Sequence, residues 1–326
     1  SPARPMSRSL SDSAADPAAA PGPGDSGLLT RGRAYLLLTA IILLWGANWP
    51  IMKTGLQSIT PFWFGVSRLV MGAATLFGVL AATGRLTLPR RADWPVVVSV
   101  SILQMACFLT FVNFALLNVD AGRAAILAYT TPLWVTPAAV LLLGERVNAR
   151  KGLGLALGLS GVACLFNPLG FDWSDPDVVY GNAFLMLAAL GWAGAILHVR
   201  AHTWVSSPLQ LAPWQMLMAL PILIALALIY EGDAQVAWSG ELVAILVYNG
   251  VLATAFCFWA AVTVQRNLPA ISTSLGLLGV PTAGVLLSTL TLGEVLSVTR
   301  IGGLALIVTG MALVNLADLR EARRAR

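Results

Sequence analysis

The stretch AYLLLTAIILLWGANWPIM, residues 34–52, carries no charged side chain and is long enough for a helix to cross the hydrocarbon core of a bilayer. Similar apolar runs follow, separated by charged residues, Pro and Gly. They predict ten membrane spans: Ala34–Met52, Pro61–Leu80, Trp94–Leu117, Gly122–Leu143, Gly152–Phe166, Val178–Val199, Ser207–Tyr230, Glu241–Val264, Pro269–Leu292 and Ile301–Leu316. We therefore expect an all-α integral membrane protein with multiple passes through the bilayer.

The composition supports lipid as the solvent of this chain. Hydrophobic residues make up 57% of it, charged residues only 11%, and the mean hydropathy is +0.79. Soluble domains carry about 25% charged residues. The net charge of +5 does not predict a nucleic-acid partner, because the basic residues are scattered over short loops and form no basic face.

The positions of the 20 Lys and Arg residues predict the orientation in the membrane. Ten spans place most of them, such as Arg90 and Lys151, on one side, and Lys53, Arg123 and Arg300 on the other. Since Lys and Arg accumulate in short cytoplasmic loops, both termini are predicted to be cytoplasmic. Loss of one span would invert every later loop, so the charge pattern also supports the count of ten.

The chain contains an internal repeat of five spans. Shifts of 147 and 149 residues match Trp45 with Trp192, Arg68 with Gln215, Pro132 with Pro281 and Gly144-Glu145 with Gly293-Glu294. Because five is an odd number, the two halves are predicted to have opposite orientations. We expect a first repeat at residues 33–168 and a second, inverted repeat at 178–317, between a disordered tail at 1–32, rich in Pro, Ala, Ser and Gly, and a basic tail at 318–326.

The same motifs resemble those of EamA-type permeases of the drug/metabolite transporter superfamily. They are Leu44-Trp45-Gly46-Ala47-Asn48-Trp49-Pro50 with Lys53, Arg68, Thr131-Pro132 with Gly144-Glu145, and the matching Pro281 with Gly293-Glu294. The resemblance extends from about Ala34 to Leu316 and is greatest to bacterial exporters of amino acids, including aromatic ones. It implies a secondary transporter of the bacterial inner membrane that exports small solutes by alternating access, as a monomer or homodimer.

Aromatic and polar residues within the spans predict a substrate site near the membrane midplane. Trp45 and Trp192 occupy equivalent positions in the middle of spans one and six, where interfacial anchoring does not explain them. Asn48 and Trp49 lie about one turn beyond Trp45 and suit an amphipathic solute. Ordinary helix packing is the alternative interpretation of all four residues.

Further candidates lie on other spans. A helical spacing predicts that Gln104, Phe108 and Phe111 share one face of span three, and that Tyr248 and Trp259 share one face of span eight. The remaining candidate substrate-binding residues are Tyr129, His198 and Ser274. We expect Pro132 and Pro281 to kink their helices and free backbone carbonyls, and glycine-rich spans five and ten to pack closely.

Arg68 allows two interpretations. An unpaired guanidinium this deep in a membrane is expensive, so Arg68 could receive a substrate carboxylate. Alternatively it extends outward and donates hydrogen bonds to helix-end carbonyls. We favour the second, because Gln215 at the equivalent position keeps hydrogen-bonding capacity and loses the charge.

Several classes of function are disfavoured by the sequence. The pair His198 and His202 lacks acidic neighbours along its helix, so no metal is expected. No Asp or Glu lies in the interior of a predicted span, since Glu241 is the first residue of its span, and this argues against an ion-binding carboxylate. No phosphate-binding loop motif is present, so no nucleotide or other cofactor is expected. Exporters of drugs, nucleobases or quaternary amines, a channel or scramblase, and a membrane-embedded enzyme remain the alternatives.

Overall fold

A computed structural model describes residues 29–116, 126–166, 172, 174–292 and 298–324. Within these residues the chain is all-helical, apart from one isolated β-bridge between Ile59 and Val236. We number the helices α1 Arg31–Gly55, α2 Pro61–Ala82, α3 Arg91–Ala115, α4 Ile126–Leu143, α5 Ala149–Phe166, α6 Pro176–Ala201, α7 Pro208–Tyr230, α8 Gly240–Asn267, α9 with its two segments Ala270–Gly276 and Gly279–Leu292, and α10 Val298–Arg324.

Nine helices of the described residues, α1 to α9, are long and apolar enough to cross a membrane. The tenth predicted span falls on α10, whose apolar part, Ile301–Ala317, is shorter. Helix α10 continues to Arg324 through most of the segment predicted as a basic tail. Most of the predicted N-terminal tail and the second Gly-Glu motif, Gly293-Glu294, lie outside the described residues.

Three helices start at a proline that follows a capping residue. Thr60-Pro61, Asp175-Pro176 and Ser207-Pro208 begin α2, α6 and α7. Proline suits the first helical position because its missing N–H would have no intrahelical partner there. Ser207 and Gln210 form a capping box in which each side chain bonds the other's backbone N–H, which fixes the start of α7.

Helices α3 and α8 each contain a long π-helical segment. These segments are Val100–Cys107 and Tyr248–Phe256. They occupy matching positions in the two repeats, although the sequence predicts an ordinary α-helical period for both. A π-helix closes its hydrogen bonds over five residues instead of four, so it rotates the residues that follow relative to an α-helix.

Helices α5 and α10 pack closely, as predicted from their glycines. A Cβ atom at Gly161 would lie 2.5 Å from the backbone oxygen of Gly303, and one at Gly154 would lie 2.7 Å from that of Gly310. These contacts run in opposite directions along the two helices, so α5 and α10 are antiparallel. The Lys151–Glu321 ion pair, with Nζ and Oε2 2.8 Å apart, joins the start of α5 to the end of α10.

We call the end of the bundle where α1 begins the basic end, because it contains Arg85, Arg90, Lys151 and Arg266. The other end is called the opposite end. At the basic end, Asp93 is fully buried and accepts hydrogen bonds from the backbone N–H groups of Val205 and Ser206 and from the His202 ring. Asp93 is the last residue of the 3-10 turn Arg91–Asp93 that begins α3, so this carboxylate lies one residue before the predicted span Trp94–Leu117.

Glu145 also joins the two repeats at the basic end. Its carboxylate accepts from the backbone N–H groups of Ala270 and Ile271, at 2.6 and 3.2 Å, and so caps α9. Pro269, which precedes that helix, offers no side-chain acceptor. At the opposite end Glu231 caps α2 in the same way, accepting from the N–H groups of Phe62 and Trp63.

Candidate substrate cavity

A cavity of about 710 Å³, including its mouth, lies among α1, α2, α3, α4, α6 and α8. It extends from the middle of α1 to the opposite end, where α1 ends and α2 begins. Its lining residues are Trp45, Asn48, Trp49, Met52, Leu56, Pro61, Phe64, Gly65, Arg68, Phe108, Leu109, Val112, Asn113, Tyr129, Trp192 and Phe258.

Four aromatic rings form the base of this cavity. Trp45 lies edge-on to Trp192 and Phe258, with ring centroids 5.5 and 5.6 Å apart, and Phe108 contacts Trp192 at 4.7 Å. Such edge-to-face arrangements are favourable for aromatic rings. The Trp45 indole N–H donates to the backbone oxygen of Ala253 at 2.8 Å, whereas the buried Trp192 indole nitrogen has no acceptor among the described residues.

A close contact between α1 and α9 fixes the position of the Trp45 side of the cavity. A Cβ atom at Gly46 would lie 2.6 Å from the Cβ atom of Ala283. Only a residue without a side chain allows this approach. It places Trp45 and Asn48, which flank Gly46 on α1, at the cavity wall.

Arg68 lines the cavity and is only 6% exposed. Its Nε donates to the hydroxyl of Thr254, 2.9 Å away, in the π-helical segment of α8. The interpretation that we favoured from the sequence, with Arg68 turned outward to helix-end carbonyls, is therefore wrong. The reason is that α2 packs against α8 here: a Cβ atom at Gly72 would lie 2.7 Å from the Thr254 methyl carbon.

Uncharged polar groups from α1, α3 and α4 also face the cavity. They come from Asn48, Asn113 and Tyr129. Tyr129 lies at an interruption of α4 just before Pro132, and α9 has an equivalent interruption at Leu277 and Leu278 before Pro281. The two prolines thus accompany helix breaks, as the sequence predicts, and the first break places Tyr129 at the cavity.

Six of the twelve predicted site residues line this cavity together: Trp45, Asn48, Trp49, Phe108, Tyr129 and Trp192. The structure places the other six elsewhere. Gln104 is fully buried with neither amide atom hydrogen-bonded within the described residues, and Phe111 stacks on Phe184. The cavity face of α3 consists instead of Phe108, Leu109, Val112 and Asn113. The predicted single face is therefore not the cavity face. Gln104 lies within the π-helical segment, which ends at Cys107, whereas Phe111 lies in the α-helical segment that follows and contacts Phe184.

The same cause separates Tyr248 from Trp259, because the π-helical segment of α8 lies between them. Tyr248 donates its hydroxyl to the backbone oxygen of Leu44 at 2.7 Å. Trp259 lines a second crevice at the basic end, beside Arg33, Leu80 and Pro208. The shared face predicted for Tyr248 and Trp259 is therefore wrong.

Ser274 and His198 also lie away from the cavity. Ser274 is fully buried in α9 and donates to the backbone oxygen of Ile271 at 2.9 Å. His198 is hydrogen-bonded to Ser99, with Nδ1 and Oγ 2.6 Å apart. The His198 and His202 rings are 5.9 Å apart, and each is held by another residue. In the part of the chain that the structure describes, no three metal-ligating side chains lie together.

Little in the sequence indicated that α2 lines the cavity. Pro61, Phe64 and Gly65 are ordinary residues of an apolar helix, and nothing in their pattern distinguishes a cavity wall from a lipid-facing surface. Arg68 was the one signal, because a charged residue inside an apolar span marks a polar environment.

These features define a class of protein: a polytopic α-helical membrane protein with a cavity that ends at aromatic rings inside the bundle. The model of the EamA-like transporter family matches residues 32–167 and 179–316, one copy for each repeat. The chain belongs to this family, and it is a transporter.

Similar proteins agree with this assignment. The chain is 26% identical over 279 residues to the uncharacterized transporter YoaV of Bacillus subtilis, covering 86% of this chain and 95% of that protein. It is 25% identical over 301 residues to a Streptantibioticus cattleyicolor protein named "Probable terminal-alkyne amino-acid exporter", covering 90% and 97%. A crystal structure of a protein 23% identical in sequence matches with a TM-score of 0.71, covering 89% of this chain and 99% of the other, and supports the fold.

Proposed function

We propose that this transporter exports small metabolites, chiefly amino acids including aromatic ones, across the bacterial inner membrane by alternating access. The observation that carries the proposal is the cavity, which joins one side of the bundle to paired tryptophans from the two repeats. Its aromatic base suits apolar side chains, and its polar wall suits charged or hydrogen-bonding groups. The relative named as an amino-acid exporter supports the same class of substrate.

The topology that we propose has ten spans, with both termini cytoplasmic and the repeats inverted. The antiparallel contact of α5 with α10 and the ion pair between Lys151 and Glu321 support α10 as the tenth span. The π-helical segments at equivalent places in α3 and α8 support a structural repeat. In this topology the basic end is cytoplasmic and the cavity faces the outside.

The residues that line the cavity also argue against the alternative functions. Arg68 is the one charged residue among the described residues that line it, and a cation there disfavours quaternary amines and other cationic drugs. A channel would need a path past the aromatic base, where Trp45, Trp192 and Phe258 are in mutual contact. For a membrane enzyme, the described lining residues offer no nucleophile with a base beside it.

The test is counterflow of radiolabelled amino acids into proteoliposomes that contain the purified protein. We expect saturable exchange, and we expect Trp192→Ala to lower it at least about tenfold, because a buried aromatic anchor typically dominates binding. The matched control is Trp238→Ala, since Trp238 is 71% exposed and lies outside the cavity.

Both variants are compared at equal amounts of monodisperse inserted protein. Equal exchange by Trp192→Ala and Trp238→Ala would mean that the substrate does not bind at Trp192. Flux that does not saturate would indicate a channel or scramblase, and no exchange of any amino acid would refute amino-acid export.

A further inference from the structure

Arg68 carries a positive charge that no acidic residue in the described part of the chain neutralises. It lies on α2, lines the cavity and is 6% exposed. A guanidinium has five N–H donors and stays protonated in proteins. Its Nε bonds the Thr254 hydroxyl, and neither terminal nitrogen has a hydrogen-bond acceptor within the described ranges.

Three of the described carboxylates are held by hydrogen bonds to other helices. Asp93 accepts three hydrogen bonds at the basic end, and Glu145 and Glu231 cap helices. None of them lines the cavity. A charge removed from water is costly unless it is paired, and no described acidic residue lines the cavity to pair with Arg68. A ligand that enters the cavity can supply this counter-ion.

The contact with Thr254 also orients the guanidinium. It holds the Nε side of the group, so the fork formed by Nη1 and Nη2 is the part left for a ligand. Two parallel N–H donors match the two oxygens of a carboxylate, and such pairs are among the stronger hydrogen bonds in proteins.

We propose that Arg68 binds the carboxylate of the transported substrate through this fork, while the aromatic base formed by Trp45, Trp192, Phe258 and Phe108 holds its apolar side chain. The inference rests on the proposed function, and it narrows the substrate class to amphipathic carboxylates. A carboxylate is required, whereas an amino group is not. Asn48 contributes an amide to the same wall, and its Oδ1 has no partner among the described residues.

The first experiment needs no variant. Binding to the detergent-purified protein is followed by tryptophan fluorescence, with phenylalanine, hydrocinnamate, phenylalaninamide and phenethylamine as probes. We expect phenylalanine and hydrocinnamate to bind with similar affinity. Phenylalaninamide and phenethylamine should bind about 10- to 100-fold more weakly, because each lacks the charged acceptor. If the amide and the amine bind as tightly as the acids, the proposal is wrong.

The second experiment tests whether Arg68 causes the preference for acids over the amide. Arg68→Gln is a mild change, since Gln215 stands at the equivalent position of the second repeat. We expect it to weaken binding of hydrocinnamate about 10- to 100-fold and to leave that of phenylalaninamide unchanged. Thr254→Val is the matched control, because it removes the acceptor of Nε and keeps the charge, so the preference for the acid should persist.

The outcomes separate structural from binding roles. Equal weakening of the acid and the amide by Arg68→Gln would show that Arg68 only supports the fold. If Arg68→Gln does not insert into the membrane, the same binding comparison is made with Arg68→Lys. The affinities of the four probes for the unmodified protein then remain the test of the carboxylate preference. Two results together would indicate a site for inorganic anions and overturn the proposal: chloride displaces hydrocinnamate, and phenylalaninamide binds as tightly as hydrocinnamate does.

The same measurements distinguish this inference from the proposed function. Acid-selective binding without counterflow of any acid would refute transport by this cavity and leave the carboxylate site intact. Counterflow of phenylalanine with no preference for the acid over the amide would retain the transporter and refute the role of Arg68.

Discussion

The two repeats differ in what their equivalent residues face. In the first repeat Asn48, Arg68 and Tyr129 line the cavity. Their counterparts in the second, by the shifts of 147 and 149 residues, are Ala195, Gln215 and Leu278, and all three are fully buried. Trp45 and Trp192 are the exception, because both lie at the base of the cavity.

This difference shows that one sequence pattern supports an open and a closed packing in the same molecule. The three polar residues of the first repeat line a cavity that opens toward the opposite end, while their counterparts in the second repeat are buried. Asp93 and Glu145 join the two repeats at the basic end. In the proposed cycle the second repeat opens in turn. The comparison between the repeats is therefore tested at two kinds of residue. Some hold the second repeat in its present packing, and others would line a cavity if that repeat opened.

The largest expected effect comes from Asp93→Ala, which breaks the junction at the basic end. It leaves the N–H groups of Val205 and Ser206 and the His202 ring without their acceptor in a fully buried site. We expect the free energy of unfolding to fall by about 3 kcal/mol, measured as a lower Tm in detergent. The control is Asp172→Ala, because Asp172 is exposed and bonds only Ser174, two residues away.

Equal changes in Tm for these two variants would contradict the assignment of Asp93 as a buried junction. A fall for Asp93→Ala alone would confirm that the basic end is held together by this carboxylate.

A smaller effect is expected from Glu145→Ala, which uncaps α9. Two N–H groups, of Ala270 and Ile271, lose their acceptor, and Pro269 cannot replace it. We expect a loss of about 1–2 kcal/mol, with Glu145→Gln intermediate because an amide keeps one acceptor oxygen. Thermal denaturation of both variants checks this.

Glu241→Ala is the matched control for Glu145. Glu241 is also acidic and lies at the start of a helix, but Ser239 caps that helix. A change in Tm as large as that of Glu145→Ala would mean that any acidic residue near a helix start suffices, and the specific junction between the repeats would be refuted.

Much of the fold could be predicted from the sequence, because the bilayer imposes a length and an apolar composition on each span. The starts of α2 and α7, at Pro61 and Pro208, are confirmed within one residue. The role of Asp93 at the start of α3 was missed, although α3 begins only three residues before the predicted span. Charged residues at a helix end look like loop residues when their buried partners on another helix are unknown.

Only half of the predicted site residues line the cavity, and the reason lies in the local backbone structure. Trp45 and Trp192 stood out because the repeat places them together. Gln104 and Trp259 were misplaced because the α-helical period fails across π-helical segments, which have no clear sequence signature. The role of Arg68 depended on which helix faces it, and a single sequence does not show that.

The smallest expected effect, with the opposite sign, comes from Gln215→Leu. Gln215 is fully buried, and neither amide atom has a partner among the described residues. Removing these groups should stabilise the closed packing by about 1 kcal/mol. If the second repeat opens during transport, the variant also loses the polar counterpart of Arg68 in the open state, so its Tm should rise while its exchange rate in proteoliposomes falls.

Gln265→Leu separates the two effects of that change. Gln265 is equally buried and unpartnered in the described structure, but it is not equivalent to any residue that lines the cavity. We expect its substitution to raise Tm to a similar extent and to leave exchange unchanged. If both variants slow exchange alike, then added rigidity alone explains the loss. If neither does, Gln215 does not face a cavity at any stage, and the closed second repeat is a permanent difference between the halves.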